Sequence, residues 1–90
     1  PDIVISKYRT AIFVNGCFWH HHYGCKYARY PQSRTEYWIK HIDRNVENDV
    51  KNYNLLQQLD YKVIVVWECE IREDFEHRML LLIEEITQSQ

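Results

Sequence analysis

Residues 15–25, Asn15-Gly16-Cys17-Phe18-Trp19-His20-His21-His22-Tyr23-Gly24-Cys25, constrain this chain more than any other stretch. Five potential metal ligands (Cys17, His20, His21, His22 and Cys25) fall within nine residues, and their spacing offers neither a helix nor a strand an apolar face to bury. The third cysteine, Cys69, lies far downstream. Three cysteines cannot all pair as disulfides, so in a reducing compartment their nearness to histidines favours a metal over cystine. A tetrahedral zinc site made of Cys17, one of the histidines, Cys25 and Cys69 is the first expectation. His22 is the preferred nitrogen ligand, because two intervening residues before Cys25 suit a chelate. Three thiolates and one imidazole make a closed site without a position for a catalytic water, so zinc here is expected to be structural.

Length makes such a metal useful. Ninety residues form one domain near the size at which a metal or a partner adds appreciably to stability. The chain opens at Pro1-Asp2-Ile3 without an initiating methionine and enters a strand-like run at once, which reads as an N-terminally truncated piece of a longer protein. No apolar run approaches the roughly 20 residues that span a bilayer and no signal peptide precedes the fold, so a soluble, intracellular protein with no membrane partner is expected.

The net charge of -2 hides an asymmetry. Residues 1–45 carry seven Lys/Arg against three acids, while the remainder carries four against ten. Nine of the thirteen aromatic residues share the basic half. Cations interleaved with flat rings suit phosphate contact combined with base stacking or wedging; Lys7 and Arg9 are among the cations expected to contact a nucleic acid.

Residues 2–5 and 10–14 are β-branched or aromatic runs around a polar Ser6-Lys7-Tyr8-Arg9, a β-hairpin pattern. An antiparallel pairing brings Asp2, at the start of one strand, beside Val14, at the end of the next, and both beside the turn into Cys17. Ser33-Arg34-Thr35-Glu36 reads as a capping box. From there the helical spacing of Trp38, Ile42, Val46, Val50, Tyr53, Leu56 and Leu59 predicts a short helix near 35–40, a kink where Asp43 and Asn45 could cap, and a main helix over 44–59. Residues 61–67 have the continuous apolar character of a strand covered on both faces, expected at the centre of the sheet and parallel to residues 10–14. That arrangement delivers Cys69 to the histidine loop. Phe75, Met79, Leu82, Ile83 and Ile86 predict a last helix over 74–87.

With one histidine on zinc, a carboxylate at Asp2 and an imidazole from the remaining histidines would stand at adjoining strand ends. A hard oxygen ligand for magnesium and a base for water constitute a minimal phosphodiesterase.

Pro1-Asp2-Ile3-Val4, Lys7-Tyr8-Arg9-Thr10, the Gly16-to-His22 run, Arg34-Thr35-Glu36-Tyr37-Trp38, Arg44-Asn45-Val46-Glu47 and Val66-Trp67-Glu68-Cys69 together resemble the very short patch repair (Vsr) endonucleases, in register from Pro1 to about Cys69. The resemblance implies a restriction-endonuclease-like mixed α/β fold in a single domain, 1–90, and magnesium-dependent nicking of duplex DNA beside a T:G mismatch. It implies that Asp2 and the Val14 carbonyl hold magnesium and that His20 activates water. Cys17, His22, Cys25 and Cys69 would hold structural zinc. Phe18, Trp19 and Trp38 would form an aromatic wedge at the mismatch, although helical spacing alone also allows Trp38 to be a core residue. Double-stranded DNA and mismatch-repair proteins are the expected partners, and a bacterial cytoplasm with nucleoid association is the expected location. Asn15 stands where the family usually has a second active-site histidine, and Tyr23-Gly24 lengthens the loop by one residue. A zinc-stabilised DNA-binding module of the same fold with weak or no catalysis is the alternative.

Overall fold

A computed structural model describes residues 1–88. The hairpin forms as its pattern predicts: β1 (Ile3–Ile5) pairs antiparallel with β2 (Thr10–Asn15), with Ile3 opposite Ile12 and Ile5 opposite Thr10. A single 3-10 turn, Ser6–Tyr8, joins them and closes on Arg9, whose φ of 46° is left-handed. β3 (Lys62–Trp67) runs parallel to β2, with Thr10 opposite Lys62 and Asn15 opposite Trp67. This mixed α/β sheet is the arrangement that the restriction-endonuclease-like expectation required.

Strand order corrects one expectation. The sequence of strands across the sheet is β1-β2-β3, so β2 is central and β3 lies at the edge of the described strands. The apolar run of β3 arises from helices on its two faces rather than from strands on its two sides: none of its six residues is exposed. On one face Ile12, Ile64 and Val66 pack with Ile5, Ile71, Leu82 and Ile86. On the other, Phe13 meets Tyr53 edge to face at 4.9 Å.

The connection from β2 to β3 contains α1 (Thr35–Gln58), one continuous helix of 24 residues where two were expected. Asn45 does not cap a second segment because its side-chain amide is engaged elsewhere, donating to the Trp19 carbonyl at 3.0 Å. Lacking Gly and Pro, the segment has nothing else to interrupt its backbone hydrogen bonds. The capping box is also absent. Arg34, in a left-handed conformation with its guanidinium 4.5 Å from the Tyr37 ring, precedes the helix, and the Thr35 hydroxyl donates back to the Pro31 and Gln32 carbonyls. Of the expected apolar stripe Ile42 is fully buried, while Val50 and Leu59 are exposed. Asp60 ends the helix at a φ of 63°, the left-handed stop its position predicts.

β3 passes directly into a short helix the sequence did not suggest, α2 (Glu68–Glu73), whose start is held by the Glu70 carboxylate accepting from the Trp67 N–H at 2.8 Å. α3 (Phe75–Thr87) follows, with the Asp74 side chain accepting from the His77 N–H at 3.1 Å. Leu82 and Ile86 of its expected face reach the core, whereas Phe75 and Ile83 remain exposed. Among the described residues no helix is long and apolar enough to cross a membrane.

Candidate metal centre and catalytic edge

The C-terminal ends of β2 and β3 lie side by side, and every chemically suggestive residue of the histidine loop departs from that edge. Parallel pairing sets Asn15 against Trp67. Two residues beyond each sit Cys17 and Cys69, both buried. α2 turns Cys69 back so that its N–H donates to Cys17 Sγ at 3.4 Å. His22 points Nδ1 at the same spot, 3.4 Å from Cys69 Sγ and 3.7 Å from Cys17 Sγ, with its ring stacked on Trp67 at 4.1 Å and 6°. With Cys25 the four ligand atoms lie within 4.8 Å of one another. Ligand atoms around a tetrahedral ion with metal–sulfur bonds of about 2.3 Å stand roughly 3.7 Å apart, so a small contraction of this cage fits one. The electrostatics agree: burial first, then the Cys17 and Cys25 thiols beside it, push the Cys69 thiol up to about 12. Three sulfurs so close need either protons or a cation.

The loop sends its three consecutive histidines in three directions. His20 turns to α1, where its Nδ1 meets Asp49 Oδ2 at 2.6 Å. His21, with φ at 48°, stacks on Tyr30 at 5.1 Å. His22 enters the metal cage. The left-handed residue in the middle is what separates a candidate metal ligand from a candidate base only two positions away.

At the same edge Asp2 Oδ2 accepts from the Val14 N–H at 2.7 Å, while the Asp2 N–H donates to the Ile12 carbonyl at 2.9 Å. The expected clustering of Asp2, Val14 and the loop is therefore present. Asp2 is exposed. One carboxylate and a neighbouring backbone carbonyl suit magnesium, which commonly keeps waters and substrate phosphate oxygens in its remaining positions.

Phe18, Trp19 and Trp38 form a three-ring cluster in edge contacts of 5.1, 5.4 and 5.8 Å. Trp19 is 49% exposed and Trp38 half-buried, so Trp38 belongs to this surface cluster and Ile42 takes the core position on its helix. Beside it, Tyr37, Lys40, His41 and Arg44 line a shallow depression on α1. Lys7 and Arg9 lie at the other end of β2, where the structure does not join them to this group: Arg9 donates to the Leu59 and Asp60 carbonyls and covers the Tyr61 ring.

Three residues of the site escaped sequence reasoning. Asn45, Asp49 and Tyr53 recur every four residues along α1, one helical face, and they hold respectively the Trp19 carbonyl, His20 Nδ1 and the Asn15 side-chain amide. Their spacing was legible. It merges, however, with the apolar stripe that Tyr53 also fits.

One family's sequence pattern, described as DNA mismatch endonuclease Vsr, matches residues 1–26. The chain is 49% identical over 72 residues to the type II nicking enzyme V.NmeAIP of Neisseria meningitidis serogroup A, covering 80% of this chain and 51% of that protein. It is 47% identical over 72 residues to the DNA mismatch endonuclease Vsr of Escherichia coli, covering 80% of this chain and 46% of that protein. The type II nicking enzyme V.XorIIP of Xanthomonas oryzae is 41% identical over 73 residues, 81% of this chain and 53% of that protein. The chain thus spans about half the length of the curated relatives it matches.

Proposed function

As the chain belongs to the Vsr family of DNA mismatch endonucleases, we propose that it forms the zinc-bound core of an enzyme that nicks one strand of duplex DNA beside a T:G mismatch. The observation that carries this reading is the His20–Asp49 pair at 2.6 Å on the strand edge where Asp2 is tied to Val14.

Asp49 favours the tautomer of His20 with the proton on Nδ1, which leaves Nε2 to take a proton from an attacking water. The Asp2 carboxylate and the Val14 carbonyl would hold magnesium, which would supply charge neutralisation at the scissile phosphate. The Phe18-Trp19-Trp38 cluster enters the duplex as a wedge, where a mispaired step unstacks more easily than a paired one. Arg34, Lys40 and Arg44 flank the wedge and carry the phosphate contacts that hold register. Cys17, His22, Cys25 and Cys69 hold zinc as a closed structural centre, which fixes His20 and the wedge relative to Asp2. A protein acting on DNA in this way works in the bacterial cytoplasm, on the nucleoid, with mismatch-repair proteins as neighbours.

The test is nicking of a labelled duplex carrying one T:G pair, with magnesium, together with elemental metal content. The reading expects about one zinc per chain by virtue of the four-ligand cage, and cleavage of one strand that disappears in Asp2→Ala. Equal nicking by Asp2→Ala overturns the catalytic assignment. The single carboxylate at Asp2 and the amide at Asn15 favour a second reading, a DNA-binding module with weak catalysis; mismatch binding without nicking, unchanged in Asp2→Ala, selects it.

A further inference from the structure

Asn15 and Tyr53 form a link that neither the metal cage nor the His20–Asp49 pair requires. Asn15 ends β2, directly after Val14, and is 3% exposed. A buried side-chain amide needs a partner, and the Tyr53 hydroxyl is it, accepting from Asn15 Nδ2 at 2.8 Å. Tyr53 lies one helical turn after Asp49 on the same face of α1. The strand end that presents Asp2 and the helix face that presents Asp49 are therefore joined by one side-chain hydrogen bond.

We propose that Tyr53, held by Asn15, is a positioning residue for the nicking reaction, fixing the Asp2 end of β2 against the helix turn that orients His20. This rests on the reading of Asp2 and His20 given above. Three contacts at four-residue intervals on α1 support it. Asn45 fixes the backbone at Trp19, Asp49 fixes the ring of His20, and Tyr53 fixes the strand from which the loop departs. Of the three, only Tyr53 reaches β2 itself. Without it the loop would be tied to α1 while the Asp2–Val14 pair could shift independently, and catalysis is sensitive to displacements of this size. Burial raises the Tyr53 phenol above its ordinary value, the Asn15 bond opposes that, and the charge of Asp49 adds to it, so the hydroxyl stays neutral and keeps a proton to donate while it accepts from Asn15.

Tyr53→Phe keeps the ring packed on Phe13 and removes only the hydroxyl; Asn15→Ala removes the other partner. With the zinc-loaded chain, single-turnover nicking of a T:G duplex is expected to fall about tenfold in each variant at unchanged DNA affinity, with the double variant no worse than either single one. A second readout needs neither DNA nor magnesium. The His20 Nδ1 proton, shielded by Asp49, should give a slowly exchanging imidazole signal by NMR, exchanging at least about fivefold faster in both variants when each is measured well below its own melting temperature, which Tyr53→Phe lowers because it leaves the buried Asn15 amide unpaired. Signals and nicking unchanged in both variants overturn the proposal, as does an unprotected Nδ1 proton in the unsubstituted chain. If the signal responds in both variants but no duplex is nicked, the link between strand and helix stands and the proposed activity falls.

Discussion

The two ends of β2 hold their polar and charged side chains in different ways. At its C-terminal end, Asp2, His20 and the Phe18-Trp19-Trp38 cluster are held by second partners yet keep a chemically active face: the imidazole retains one ring nitrogen beyond its Asp49 contact, and Trp19 is exposed. At its N-terminal end, Arg9 closes on the last carbonyls of α1 and Lys62 on the Glu85 and Gln88 carbonyls at the end of α3. Cations there complete two helix C-termini, whose partial negative charge and unpaired carbonyls favour them. A cation's value to a nucleic acid depends on whether its donors are already engaged, and composition cannot report that.

The largest effect that would sharpen this contrast is loss of the metal. A structural zinc contributes on the order of 10 kcal/mol to folding, so a strong chelator, or Cys69→Ser, should abolish the cooperative thermal transition followed by circular dichroism. A chain that melts unchanged after its zinc is removed would place the organising force at the other end. The pH dependence has a definite sign. Without the metal, burial and the adjacent thiols keep Cys69 protonated up to about 12, so metal binding displaces that proton across the neutral range. Zinc retention should therefore weaken as pH falls, by about tenfold per unit for each proton displaced, which a competition titration against a chromogenic chelator reads directly.

Next in size are substitutions at the proposed catalytic residues. Asp2→Ala and His20→Ala should each lower nicking by about a hundredfold to ten-thousandfold, and Asp49→Asn by about tenfold to a hundredfold, because it disturbs the orientation of His20 rather than removing it. A quantitative nicking assay on a T:G duplex, with melting temperatures recorded alongside, separates these losses from unfolding. Trp38→Ala should weaken binding to a mismatched duplex by about tenfold, the scale of one stacked base, and weaken binding to matched duplex less.

Sequence reasoning reached the candidate active edge more fully than the residues that support it. The four candidate metal ligands, including His22, lie together because the parallel crossover returns Cys69 to the loop. Asp2 beside Val14 followed from hairpin pairing. What escaped depended on competition between partners that no local pattern encodes. Asn45 could have capped a helix, but donates to Trp19 instead, and α1 runs on unbroken. Tyr53 fitted an apolar stripe while also carrying the hydroxyl that Asn15 needs. Helix α2 was hidden because residues 68–73 are charged rather than periodic, and their order comes from Glu70 capping the end of β3.

The smallest predicted effect bears most directly on the two ends. Arg9→Ala and Arg44→Ala remove the same charge from the same basic half of the sequence, and charge counting would treat them alike. Arg44 is exposed on α1 beside the Phe18-Trp19-Trp38 cluster, lining the depression with Tyr37, Lys40 and His41. Its loss should weaken binding and lower the slope of log affinity against log salt by about 1, the signature of one phosphate contact. Arg9 donates to the end of α1 and covers Tyr61. Its loss should leave the salt slope unchanged and lower stability by about 0.3–1 kcal/mol, the usual scale of a cation at a helix C-terminus. Fluorescence anisotropy across a salt series and a denaturant melt measure the two quantities. If instead Arg9→Ala lowers the salt slope as much as Arg44→Ala does, DNA reaches both ends of β2, and the division drawn from which donors are already engaged is wrong.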